Sequence, residues 1–403
     1  MRMKSIKDPV HGYVEVDTPA ITLLDSPMLQ RLRHIKQLGF SYLVYPGANH
    51  TRFEHSLGTM HLAEVMCRQL GVPEYDRLLI VTAALLHDIG HGPFSHSIEP
   101  VMEELTGRSH HRIGNLLKSG TLVPLLENIG VDRNELREVL SGEHQLSGII
   151  HGELDVDRMD YLLRDAHYTG VPYGTVDAQR LIRSTLISEE GIVIHESGIN
   201  AAESLLIART LMRPAVYFHH VSRIAETMFN YSVLRHLENK SPSEVAGMMY
   251  MDDVSCIHAL RTSGCSVVRE FAERIFSRQL YKRALYVGRE QVNIKSLTEF
   301  RGIPAQREIA EEIADIAGVD PSKVLVDIPE LPSGMSLHVQ VKNRHRVVEL
   351  AEVSPLLNTL NDNRLEQWRL GVYTPPDLTD EVEIIASSVF HVKPVTTQDK
   401  LPV

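Results

Sequence analysis

Apolar residues recur at helical spacing through most of the chain. Asp25-Ser26-Pro27 opens the first such stretch: Ser26 can cap, Pro27 suits the first helical position, and Leu29, Leu32, Ile35 and Leu38 form a stripe that predicts a helix ending at Gly39. The same periodicity runs from Glu54 to Leu70 and from Tyr75 to Ile89. In the second run, Leu78-Leu79-Ile80-Val81 and Ala83-Ala84-Leu85-Leu86 leave almost no polar face, which predicts a buried central helix. Further helices are expected around His110–Leu117, Asn134–Leu140, Gln145–Ile150 and Val156–His167, and a long one from Ala201 to His236 interrupted at Pro214. Ahead of them all, Asp8 to Val16 reads as a turn followed by alternating apolar residues, a short hairpin or strand.

After about Tyr281 the pattern changes. Val324–Pro329, Leu337–Val341 and Leu370–Tyr373 read as strands, Ala305–Ala317 and Thr379–Val389 as helices, and the last dozen residues as a loose tail. A length of 403 residues exceeds what one core usually holds, about 250–300. The expected fold class is therefore mainly α, with a helical core over residues 1–280 and a smaller C-terminal α+β lobe over residues 281–403.

Composition narrows the function classes. With 43% apolar and 23% charged residues the chain is an ordinary globular protein. A net charge of −11 disfavours a general nucleic-acid binder or nuclease, which needs an excess of Lys and Arg over at least one face. The three cysteines, Cys67, Cys256 and Cys265, form no CxxC and support neither a disulfide framework nor a cysteine metal site. The N-terminus lacks an apolar signal core, and no uninterrupted apolar stretch reaches about 18 residues. A cytoplasmic protein that neither spans nor needs a membrane is expected.

Eight of the 21 histidines lie between His50 and His111, too dense a cluster for scattered surface residues. His55 falls near the start of one predicted helix, His87 and Asp88 end the most apolar one, and Asp157 opens a third. Two imidazoles with two carboxylates suit a borderline divalent ion such as Zn²⁺, Mn²⁺, Fe²⁺, Co²⁺ or Ni²⁺, with positions left for water and phosphate. A single His or Asp at a helix end is ordinarily a cap or a satisfied core group. His87 and Asp88, polar neighbours closing an apolar helix and followed by Gly-His-Gly, are harder to explain by burial alone.

The ordered set His55, His87-Asp88 and Asp157 resembles the H…HD…D signature of the HD superfamily of metal-dependent phosphohydrolases. More narrowly, Arg52-Phe53-Glu54-His55-Ser56-Leu57-Gly58, the run from His87 to His96, and Asp155-Val156-Asp157-Arg158-Met159-Asp160-Tyr161 resemble the branch of SAM-and-HD-domain and bacterial dNTP triphosphohydrolases, collinearly over roughly residues 3–240. The resemblance implies an HD-domain helical core in which His55, His87, Asp88 and Asp157 hold a metal ion. It also implies that His91, His96 and His110 act beside the phosphates, with Glu99 orienting His96. Histidine suits proton transfer because its ordinary pKa lies close to neutrality. Glu99 stands where the family has Asp, and His111 where it has a glutamate; no SAM domain is expected ahead of Lys4.

For the substrate, the resemblance places Arg52 and Arg158 at phosphate, Tyr161 at the sugar, Asp165 at its 3′-hydroxyl, Arg209 and Tyr217 near phosphate and sugar, and Gln37 and Leu38 beneath the deoxyribose, excluding a ribose hydroxyl by volume. Asp157, Tyr161 and Asp165 are spaced to share one helix face, as are Arg209, Arg213 and Tyr217. Lys4, Asp25, Gln30 and Arg33 match positions that bind an activating GTP or dGTP between subunits, which implies a homo-oligomer, dimer or tetramer. The expected reaction is hydrolysis of dNTP to deoxynucleoside and triphosphate, with Mg²⁺ accompanying the nucleotide as a further candidate ion. The rivals are a nucleotidase or phosphodiesterase of the same superfamily and a catalytically silent nucleotide sensor.

Overall fold

A computed structural model describes residues 3–107, 120–189, 191–293, 302–331, 339–343 and 346–393. The chain opens with an antiparallel hairpin, β1 (Lys4–Asp8) and β2 (Gly12–Val16). Asp8 accepts the N–H groups of Val10 and His11, closing the turn, and Gly12 supplies its left-handed backbone (φ 80°). Next come α1 (Thr18–Leu24) and α2 (Pro27–Arg31), the latter capped by Ser26 as expected. The helix does not run to Gly39. It tightens into a 3₁₀ turn at Leu32–His34, and Ile35 is extended. The Lys36 N–H goes to Asp253, the Gln37 N–H to the His50 carbonyl, and Lys36 bridges Thr51, so these backbone groups serve other segments instead of the helix.

Two long helices follow, α3 (Arg52–Leu70) and α4 (Glu74–Leu86). The α3 start is set by Glu54, whose carboxylate accepts the Thr51 N–H at 2.6 Å, and Gly71 ends it in a left-handed conformation. Leu57, Met60, Ala63 and Met66 of α3 share one core with Leu79, Ile80, Ala83 and Leu86 of α4. The chain continues through α5 (Glu99–Thr106), α6 (Val123–Ile129), α7 (Arg133–Ser141), α8 (Val156–Thr169), α9 (Ala178–Ser184), strands β3 (Thr185–Ser188) and β4 (Gly191–His195), and α10 (Ile199–Met212). The helix expected at Gln145–Ile150 is a single 3₁₀ turn, Ser147–Ile149, because His144 and Ser147 side chains bond the local backbone and compete with helix. The one expected at His110–Leu117 lies outside the described residues. At Pro214 the long helix breaks as expected, into a π turn (Arg213–Tyr217) before α11 (His220–Leu237). The common face expected of Arg209, Arg213 and Tyr217 is therefore not that of one continuous α-helix. Then come α12 (Pro242–Met248), α13 (Asp253–Arg261) and α14 (Ser266–Phe276).

The C-terminal part contains β5 (Lys282–Gly288), α15 (Ile303–Ala317), β6 (Leu325–Asp327), β7 (Gln340–Lys342), β8 (Val347–Glu349), α16 (Leu350–Val353), α17 (Leu356–Glu366), β9 (Arg369–Thr374) and α18 (Thr379–Val389). Strand β9 is central in an antiparallel sheet of order β5-β9-β6, and Ile313 of α15 and Val382 of α18 share a core with its Leu370 and Val372. The strand expected from Leu337 begins at Gln340; Leu337 and His338 are outside the described residues. Strand β7 pairs with β4, giving the order β3-β4-β7-β8, and Val341, Val348 and Leu350 join the core of α3 and α4. The molecule is mainly α, with a helical core and a smaller α+β part. Among the described residues no helix is long and apolar enough to cross a membrane.

Candidate metal centre

Four predicted ligands converge where α3, the end of α4 and the start of α8 meet. His55 Nε2 lies 2.9 Å from Asp157 Oδ1 and 3.5 Å from Asp88 Oδ2; His87 Nε2 lies 3.4 Å from Asp88 Oδ1 and 3.6 Å from Asp157 Oδ1. His55, His87 and Asp88 each present an atom within 4.8 Å of the others. His87 is fixed by its Nδ1, 2.7 Å from the Ala84 carbonyl, which leaves a buried Nε2 without a hydrogen-bond partner. A buried, aimed and unpaired imidazole nitrogen beside two carboxylates fits a divalent ion. Burial works against charge on His55, yet hydrogen bonds to Asp157 and Asp160 and the charge of Asp88 hold its pKa up at about 10. Burial would raise Asp157, but His55 and His87 hold it well below the usual carboxylate range.

A buried polar frame surrounds these groups. Asp160 Oδ2 lies 2.8 Å from His55 Nδ1, Asp160 Oδ1 lies 2.6 Å from His11 Nε2 on the hairpin turn, and Arg164 donates to both oxygens at 2.9 Å. Arg164 also donates to Asp8 at 2.9 Å. A proton on Nδ1 shared with Asp160 would leave His55 Nε2 to face Asp157 and Asp88. Gly58 makes this possible, since a Cβ there would collide with the Asp160 carboxylate and the Arg164 guanidinium. Arg52, buried, donates to Asp88 Oδ2 at 2.7 Å and to Ser95 Oγ at 2.9 Å.

Beyond Asp88 the chain turns through His91 and His96. His91 is buried, its Nε2 3.2 Å from Asp88 Oδ1 and its Nδ1 2.9 Å from Glu99 Oε1. His96 places Nδ1 2.9 Å from Glu99 Oε2, with a side chain 64% exposed. One carboxylate thus faces both rings, which meet edge to face at 4.8 Å. Burial and the Arg52 charge lower the His91 pKa to about 4 against the pull of Asp88 and Glu99. His96 and Glu99 line a cleft of about 790 Å³ that extends to Arg223, Arg307 and Trp368.

Comparison with known proteins gives the family of the chain. Residues 52–165 match the HD domain, and residues 176–401 match the HD associated region. An uncharacterized protein of Methanocaldococcus jannaschii is 35% identical over 393 residues, 94% of this chain and 81% of its own length. The chain belongs to the HD family of phosphohydrolases. The HD chain is also 28% identical over 389 residues to the human deoxynucleoside triphosphate triphosphohydrolase SAMHD1, covering 81% of this chain and 60% of that protein. A hypothetical protein from Aquifex aeolicus of known structure superposes with a TM-score of 0.77 at 32% identity, over 96% of this chain and all of that one. A phosphohydrolase from Bacteroides thetaiotaomicron gives 0.73 at 25% identity, over 93% and all of that chain.

The expected substrate positions of the HD site are brought together in part. Tyr217 donates to Asp165 at 2.9 Å, its ring 6.2 Å from that of Tyr161. Asp165 Oδ1 lies 2.8 Å from His50 Nε2. Gln37 is buried with Oε1 unpartnered, and Leu38 is half-buried. Arg209 donates to Glu153 at 3.0 Å. Arg158 folds back onto Asp155 and the Gly152 carbonyl instead of turning to the histidines. His110 lies outside the described residues. Of the four expected activator positions, Arg33 donates to Gln30 at 2.9 Å, Gln30 donates to the Leu24 carbonyl next to Asp25, and Arg33 covers the Phe53 ring. Lys4 is exposed on β1. Sequence reasoning gave no role to His11, His50, Asp160 or Arg164. The i, i+4 spacing of Asp160 and Arg164 was the available signal.

Proposed function

We propose that this HD protein hydrolyses deoxynucleoside triphosphates to deoxynucleoside and triphosphate, with a divalent transition-metal ion held by His55, His87, Asp88 and Asp157. The observation that carries the metal site is the buried, unpartnered Nε2 of His87 facing both carboxylates. An ion there supplies a water of lowered pKa and polarises a phosphoryl oxygen.

The chain's own groups account for the remaining chemistry. Water oxygen joins the α-phosphorus, the bond from phosphorus to the 5′ oxygen breaks, and that oxygen takes a proton. His96 serves as the donor: its ring reaches solvent and the cleft, and Glu99 orients it, whereas His91 is buried between two carboxylates. His91 sits beside the phosphates, a place we also give to His110. Arg52, Arg158 and Arg209 neutralise phosphate charge. Arg209 stands near further cations: burial, with Arg364, Arg209 and Arg223, lowers the Arg213 pKa to about 10. Tyr161, Asp165 and Tyr217 hold the sugar, and Gln37 and Leu38 lie under its 2′ carbon. The name of the human relative, a deoxynucleoside triphosphate triphosphohydrolase, favours this substrate class. We further propose that GTP or dGTP binds at Lys4, Asp25, Gln30 and Arg33 and activates a cytoplasmic homo-oligomer.

Chelator-stripped protein reloaded singly with Zn²⁺, Mn²⁺, Fe²⁺, Co²⁺ or Ni²⁺, and offered dNTPs, NTPs and nucleoside monophosphates, tests the reading. Turnover should require metal, favour dNTPs, and vanish in His87→Ala and Asp88→Ala. Turnover of monophosphates alone favours the nucleotidase, and metal binding with no turnover favours the sensor.

A further inference from the structure

The loop from His91 to His96 holds its shape against local preference. Phe94 (φ 57°) and Ser95 (φ 56°) are consecutive left-handed residues, and neither is glycine. Such residues persist only where the surroundings over-determine them. Here the restraints come from distant segments. Asp253, at the start of α13, accepts the Phe94 N–H at 2.6 Å with one oxygen and the Lys36 N–H at 3.0 Å with the other. Ser95 Oγ donates to the Lys36 carbonyl at 2.6 Å. Arg31, on α2, donates to the carbonyls of Ile89 at 2.9 Å, His91 at 2.8 Å and Met251 at 2.9 Å.

Helix capping does not explain Asp253. Its neighbour Asp252 caps α13, accepting the Ser255 N–H at 2.7 Å. Burial pushes the Asp253 pKa up to about 6 even though two N–H groups bond it, so the ionised carboxylate is tolerated by the fold and not favoured by it. Both of its bonds serve the same end, joining the histidine loop to the strand-like segment that leads into Gln37.

We propose that Asp253 and Arg31 are positioning residues, which set His91 and His96 against the metal group by holding the loop that carries both. The inference rests on the reading of His96 as the group that serves the leaving oxygen. Among the described residues, the hydrogen bonds of Arg31 go to the Ile89, His91 and Met251 carbonyls and those of Asp253 come from the Phe94 and Lys36 N–H groups, none to His55, His87 or Asp157.

The test uses the full chain loaded with Mn²⁺ and dGTP as substrate. Asp253→Ala, Asp253→Asn, Arg31→Ala and Arg31→Lys are made alone and combined with His96→Ala, and each is assayed for kcat, KM and Mn²⁺ affinity by equilibrium dialysis. The two alanine variants should lose about 10–100-fold in kcat, with KM and Mn²⁺ affinity within about twofold of the wild type, because a displacement of roughly 1 Å is enough for such a loss. Asp253→Asn, which keeps one acceptor oxygen, should recover part of it. In the His96→Ala background the further loss in kcat should be smaller than in the wild type, limited to the part that acts through His91. A full additional loss in that background overturns the inference, as does an unchanged kcat in both alanine variants. Weakened Mn²⁺ binding in the alanine and the milder variants alike also overturns it, assigning both residues to the metal site. If His96→Ala is as active as the wild type, or the wild type has no turnover, the functional reading itself fails and takes the inference with it.

Discussion

Asp160 is the residue on which the centre's geometry depends most. It is fully buried and bonded to His55, His11 and twice to Arg164, so its orientation is over-determined, and so is that of the His55 ring. Residues behind a metal-ligating histidine set its tautomer and basicity. Asp160→Asn should therefore weaken Mn²⁺ or Zn²⁺ binding by about 10–100-fold, measured by equilibrium dialysis, while leaving all four proposed ligands in place. Affinity equal to the wild type would remove Asp160 from the account.

At the scale of elements, the site exists because α3 and α8 approach closely, and Gly58 marks the point of approach. Gly58→Ala should force the helices apart and cost about 1–3 kcal/mol by denaturant unfolding, with weaker metal binding, since the Asp160 carboxylate and Arg164 cannot yield without breaking their bonds. Unchanged stability and metal binding would show that the helices have slack. The helices themselves were legible in the sequence: α3, α4, α7, α8, α15 and α18 lie within a few residues of where apolar periodicity puts them. Stops imposed from afar were not legible. The helix at Pro27 ends early because Lys36 and Gln37 are bonded to Asp253 and His50. The HD motif residues could be read because they are contiguous or carried by recognisable helices. Their supports could not, since His11 and Asp160 are 149 positions apart, Phe94 and Asp253 159, and nothing local announces either pairing.

Across the whole molecule, the N-terminal segments hold the centre, through His11 on Asp160 and Arg31 on the His91 loop, and Lys4, Asp25 and Arg33 of the same stretch of chain are exposed. A nucleotide bound at the proposed activator positions would thus act on segments that already position the site. On this account GTP should raise dNTP turnover, and Arg33→Ala should abolish the increase while leaving the basal rate within about twofold. Equal rates with and without GTP or dGTP at every concentration would exclude activation and leave the HD reading intact. The proposed hydrolysis of dNTPs meets its most direct test in the products. Metal-loaded protein mixed with dGTP and followed by ³¹P NMR, with deoxyguanosine measured by chromatography, should release triphosphate and deoxyguanosine in equal amounts, and His87→Ala, Asp88→Ala protein should release neither. Deoxyguanosine monophosphate with pyrophosphate, or diphosphate with orthophosphate, as the primary products would contradict the proposed cleavage.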